Sequence, residues 1–90
     1  MTAVTRLGDL CSGHGVCSPR PSTSGSPDVF ANSKPVHRQH DLWGQHCLHT
    51  SELSGGSSTV FVNSRPLGRV GDTIACGSTV ANGSPNVFSG

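Results

Sequence analysis

The chain contains no tyrosine, one tryptophan and three phenylalanines in 90 residues. So few aromatic rings cannot fill a large core. Charge is as sparse: six basic and five acidic side chains leave a net charge of +1, and the basic ones are scattered. Phosphate binding needs clustered Lys and Arg, so nucleic acid is not an expected partner. No apolar stretch approaches the length of a membrane-crossing helix. The N-terminus shows no basic region followed by an apolar run, so no secretory signal is visible and any export uses another route. Neither a Ser/His/Asp nor an HExxH arrangement occurs, so the reading is not an enzyme, and no small-molecule substrate is expected.

Gly, Ser, Pro, Asn and Thr dominate instead. A disordered chain of such composition would carry a large net charge and no patterned apolar runs. Here short apolar runs recur at near-constant spacing, which points to one folded, turn-rich domain over 1–90. A domain this small gains little stability from its core alone and needs an added staple. Four cysteines and five histidines are available for one. Two disulfides are possible, but without a secretory signal metal binding gains weight.

The organising feature is an internal repeat. Gly25-Ser26-Pro27-Asp28-Val29-Phe30-Ala31-Asn32-Ser33-Lys34-Pro35 aligns without a gap on Gly56-Ser57-Ser58-Thr59-Val60-Phe61-Val62-Asn63-Ser64-Arg65-Pro66. The register continues through Arg38-Gln39-His40-Asp41 and Arg69-Val70-Gly71-Asp72. The chain ends on Gly83-Ser84-Pro85-Asn86-Val87-Phe88 and begins with Arg6-Leu7-Gly8-Asp9, the two halves of a third copy. The repeats therefore fall near 26–57, 58–84, and 85–90 joined with 1–25, and the two terminal segments should lie side by side.

Each unit predicts a strand, a tight turn at Asn-Ser, a second strand and a loop. The second strand should end at Gly8, His40 or Gly71. Only Val36 to Leu53 leaves room for a short helix. Because one hairpin cannot cover its own apolar face, the three must pack together with approximate three-fold symmetry. Phe30, Phe61 and Phe88 are the expected central core. Asp9, Asp41 and Asp72 read as turn caps, with Arg6, Arg38 and Arg69 as their candidate partners, rather than as acid–base carboxylates. Trp43 is open between a core plug and an exposed anchor. His37 and His40 read as solvated loop residues.

These units resemble the PAAR-repeat family, whose units look like G-S-P-x-V-F-V-N-G-x-P-A-A-R-x-G-D followed by a loop with His or Cys. Ser33 and Ser64 depart from the turn Gly, Val36-His37 and Leu67-Gly68 from Ala-Ala, and His40 from the last Gly. The resemblance implies an all-β, pseudo-three-fold cone of three β-hairpin repeats with a metal-stabilised tip. It implies a membrane-piercing tip that caps the trimeric β-helical spike of a contractile machine, one copy per trimer, and meets the target cell envelope transiently. On that reading the place of work is the virion, at the tail baseplate; the alternative is a type VI secretion spike. Nothing beyond the repeats is read as an effector domain.

The loops after the three Asp residues carry His14, then His46 and His49, then Cys76. If the loops meet, these make a complete tetrahedral set with no open position, a structural site. The resemblance implies the same composition, three His and one Cys. Zinc is the first choice, iron possible. Cys47 or Cys11 could replace a named ligand. Cys11 and Cys17 read as loop thiols, with a Cys11–Cys17 disulfide as the other option. A disulfide-stapled secreted binding module is the remaining alternative for the whole chain.

Overall fold

The computed structural model describes residues 2–13, 17–46 and 49–89, with His46 and His49 described by their backbones. It is all-β and contains no helix among the described residues. Its dimensions are 31 × 24 × 21 Å.

Three short hairpins repeat. Strands β2 (Phe30–Ala31) and β3 (Lys34–Pro35) pair with Phe30 opposite Pro35 and Ala31 opposite Lys34. Strands β6 (Phe61–Val62) and β7 (Arg65–Pro66) pair in the same register, Phe61 opposite Pro66. The third hairpin is made from the two ends of the chain. Strand β1 (Thr2–Ala3) pairs with β8 (Phe88–Ser89), placing Phe88 opposite Ala3 and Ser89 opposite Thr2. The terminal segments thus rebuild one repeat, as the split copy predicts.

Local chemistry explains each hairpin. Asn32 and Ser33 both have positive φ, 54° and 66°, and Asn63 and Ser64 repeat this at 53° and 66°. Two consecutive left-handed residues are the type I′ pattern, whose twist matches the flanking strands. Ahead of each hairpin, the hydroxyl of Ser26, Ser57 or Ser84 accepts backbone N–H groups two and three residues on. Glycine precedes each of these serines for lack of space: a Cβ on Gly25 or Gly56 would come within 2.8 Å or 2.6 Å of a backbone carbonyl.

The units are laced to one another in a closed cycle. Antiparallel bridges join Val4 to Arg69, Arg6 to Val36, and Arg38 to Leu67. The backbone N–H of Thr5 donates to Gly68, that of Gly68 to His37, and that of His37 to Thr5, at 3.1, 2.8 and 3.0 Å. These three residues occupy one repeat position, so the ring lies around the pseudo-three-fold axis. Beyond it, the turn before each of the three Asp residues holds a left-handed residue: Gly8 (φ 89°), His40 (φ 74°) and Gly71 (φ 91°). His40 keeps the glycine conformation, so the departure from the motif alters strain and not the path of the chain.

Two cores flank this ring. One gathers Val4, Ala31, Val36, Val62 and Leu67 under the hairpins. The other gathers Cys11, Trp43, Leu53, Ile74 and Val80 from the loops. Trp43 is a core plug, 2% exposed. The segment where a helix was conceivable instead forms a β-hairpin, β4 (Leu42–His46) against β5 (His49–Glu52), with a register shift between Trp43 and His46. The reason is pairing. β4 also bridges Ser22 through Trp43, and Leu53 just after β5 bridges Ile74, so the neighbouring loops offer strand partners.

The expectation that Phe30, Phe61 and Phe88 form the central core is wrong. They are 56%, 57% and 47% exposed. In a pleated strand successive side chains face opposite ways, and the inward positions fall to Ala31 and Val62 beside the phenylalanines. Near a three-fold axis only small residues fit there, so the large rings turn out.

Candidate functional site

Two ends of the molecule carry the features that bear on function. At the hairpin end, Val29, Val60 and Val87 join the three phenylalanines as exposed apolar side chains. The three valines, Phe30 and Phe88 line a depression of about 420 Å³ with buried Val4, Val36 and Leu67 in its wall. No charged residue lines it. An uncharged apolar face with three-fold repetition is more than scattered surface hydrophobes, and such patches mark interaction surfaces. Sequence reasoning missed this face by burying the rings. The signal was present: a repeat that places one Phe per unit presents three rings in symmetric positions whichever way they point.

At the other end the three loops pack on each other in turn. The first meets the second where the Gly44 N–H donates to Pro21 at 2.8 Å. The second meets the third through Ala75 N–H to Glu52, 2.9 Å, and the third meets the first through Ser12 N–H to Thr79, 2.7 Å. Convergence of the loops is therefore a property of the backbone.

The proposed ligands stand as follows. His46 and His49 face each other as a backbone pair across the β4–β5 turn. Cys76 lies half-buried in the Ile74–Ser78 turn against the loop core and is not in a disulfide. His14 lies outside the described residues, as does Cys47. Among the described residues no three His, Cys, Asp or Glu side chains form a cluster that could hold a metal.

The other cysteines part from the expectation. Cys17 is disulfide-bonded, whereas Cys11 is a buried thiol. A Cys11–Cys17 disulfide is excluded. The reason is topological: Cys11 is fixed in a bridge to Val80, and its Sγ accepts the Arg20 N–H at 3.3 Å.

The three strand-end carboxylates are structural. Asp9 takes the backbone N–H, Nε and Nη2 of Arg6; Asp41 does the same with Arg38, and Asp72 with Arg69. Burial works against ionisation of Asp41, but the Arg38 hydrogen bonds overcome it and hold its carboxyl below the ordinary value. Two of the guanidinium groups also reach a neighbouring unit: Arg6 to Asn32 and Arg38 to Asn63, at 3.0 and 3.1 Å.

Of the two histidines expected in solvent, His40 is exposed and contacts Glu52 at 3.2 Å. His37 is fully buried, a correction to that expectation. The alignment explains it: position 37 belongs to the hydrogen-bonded ring, and Thr5 and Gly68 are its equivalents.

The model of the PAAR motif matches residues 12–82. The match spans both uninterrupted hairpins, most of the first loop and the whole of the other two. No curated protein sequence matches the chain.

Proposed function

Since the chain belongs to the PAAR-motif family, we propose that it is the spike tip of a contractile phage tail, a structural part without turnover. Its apolar hairpin end seats on the trimeric β-helical spike, one copy per trimer, and its loop end leads into the target envelope. The observation that carries this reading is the repeated set of exposed rings Phe30, Phe61 and Phe88 beside a depression that no charged residue lines. A single chain with three like sectors matches the end of a trimer, and the rings supply area that only a partner would cover. The Asp–Arg pairs argue against hydrolysis, because each carboxylate already accepts three hydrogen bonds from its arginine.

His14, His46, His49 and Cys76 would hold the metal at the loop end. Three imidazoles and a thiolate suit zinc, with iron second. The ion would supply cross-linking of the three loops and no bond-breaking chemistry. Metal binding in small domains contributes about 10–16 kcal/mol of apparent free energy, and a fraction of that rivals the whole stability of a domain this size. The Cys17 disulfide suits a particle that works outside a reducing cytosol. The same geometry serves a type VI secretion spike, and the two settings differ in the machine and not in the tip.

The test is stoichiometry. The purified chain is mixed with a cognate trimeric β-helix, and the mass of the complex is measured by light scattering. One chain per trimer is the expected result; three per trimer, or no complex, overturns the reading.

A further inference from the structure

Thr5, His37 and Gly68 form the ring of main-chain hydrogen bonds that joins the three units. Space beside the ring is short: a Cβ on Gly68 would lie 2.8 Å from Leu53 Cδ2 and 2.9 Å from Thr5 Cγ2. One unit has no side chain there and another a small one. The middle unit places a whole imidazole at this point, 0% exposed. Val36, its neighbour in sequence, belongs to the hairpin core, and Trp43, which its ring touches, belongs to the loop core. The two ring centroids are 4.7 Å apart at an interplanar angle of 56°. His37 thus bridges the two halves of the molecule.

Its hydrogen bonding suits only the neutral form. Nδ1 is 2.9 Å from the Ser24 carbonyl oxygen, so Nδ1 carries the proton and donates it. Nε2 has no hydrogen-bond partner among the described residues, and neither has the nearby Trp43 Nε1. A second proton, on Nε2, would put a charge into a fully buried site at a nitrogen that makes no hydrogen bond there. The charged groups on the surrounding segments are already engaged. Asp41 is held by Arg38 and lies 3.6 Å from Arg65. Arg6 pairs with Asp9 on the Thr5 segment, and Arg69 with Asp72 on the Gly68 segment. His40 and Glu52 contact each other at the surface.

We propose that His37 is a proton-operated latch: neutral, it locks the hairpin end to the loop end, and proton uptake at Nε2 loosens that junction. Burial pushes the His37 pKa below its ordinary value, and the Ser24 carbonyl and Asp41 offset this only in part. The unfolded chain therefore takes up this proton first. Stability from the buried neutral ring is complete above the ordinary value of 6.5 and is lost as pH falls from there towards the lowered folded value. This window opens at a higher pH than the one in which Asp41 takes up a proton, since it starts from 6.5 and that carboxyl is held below 3.8.

The test compares the full chain with His37→Gln by urea unfolding from about pH 7.5 to about pH 5, with and without chelator. The wild-type folding constant should fall by up to about tenfold per pH unit within the window, and His37→Gln should lack that component. Metal release from other histidines disappears under chelator; the His37 difference should persist. Equal slopes in both chains overturn the proposal. If the variant does not fold, the wild type still decides. Its His37 ring resonances should stay neutral through pH 6.5 while Trp43, the only tryptophan, keeps its folded emission. Titration of His37 at 6.5 in the folded chain overturns the latch.

Discussion

Asp41 receives three hydrogen bonds from Arg38: the backbone N–H and Nε at 2.8 Å each on Oδ2, and Nη2 at 3.0 Å on Oδ1. The side chains are only 10% and 4% exposed. Removing one partner strands the other charge in a dry site, which costs about 3–5 kcal/mol. Asp41→Asn should therefore lose about that much in urea unfolding. Asp72→Asn should lose less, because the Arg69–Asp72 pair is 22% and 13% exposed. Because the folded Asp41 pKa is lowered, its contribution is present above the unfolded value and is lost as pH falls through the folded one. In the Asp41→Asn chain this acid loss should shrink.

His40 offers the reverse case. It holds φ at 74°, where its two equivalents are glycines. Left-handed backbone costs a residue with a Cβ about 1–2 kcal/mol, partly offset by the greater unfolded-state freedom of glycine. Its contact with Glu52 is exposed and worth little. His40→Gly should raise stability by about 0.5–1 kcal/mol. A drop in the thermal midpoint would show that the side chain does something the backbone does not reveal.

The exposed rings separate folding from docking. Phe30→Ala together with Phe61→Ala should leave the unfolding midpoint within about 1 kcal/mol of wild type. The same change should weaken capping of a trimeric β-helix by at least about tenfold, measured by titration calorimetry. Normal capping by the double variant would move the interface elsewhere.

Metal content tests the loop end. Elemental analysis of Cys76→Ser should show less than the wild-type metal per chain, while His40→Ala retains it. Chelation should lower the wild-type thermal midpoint by more than about 10 °C, since each kcal/mol shifts a domain of this size by several degrees. A wild-type chain indifferent to chelator would rule out the structural ion.

Much of the architecture was legible because it is written three times. The hairpin at Asn32-Ser33, the arginine held by the aspartate three residues on, and the joining of the terminal segments all follow from aligning the copies. What one copy alone holds was not legible. The β4–β5 hairpin has no counterpart in the other loops, so no alignment could reveal it, and its strands depend on partners supplied by Ser22 and Ile74. Composition misled for Phe30 and His37 in opposite senses. Hydropathy puts the ring inside and the imidazole outside, but distance from the symmetry axis overrides hydropathy. Position 31 faces the axis and position 30 does not, while position 37 lies on it.

The ring through Thr5, His37 and Gly68 also bears on how the chain acquires its shape. All three of its links join residues more than thirty positions apart, and the bond from Thr5 to Gly68 spans about two-thirds of the sequence. Loop-closure entropy must be overcome before any of the three rewards the chain. Such non-local closure is slow, typically milliseconds to seconds. A nascent chain still short of residue 68 cannot close the ring, so the earlier hairpins wait, unlocked, until that residue has been made.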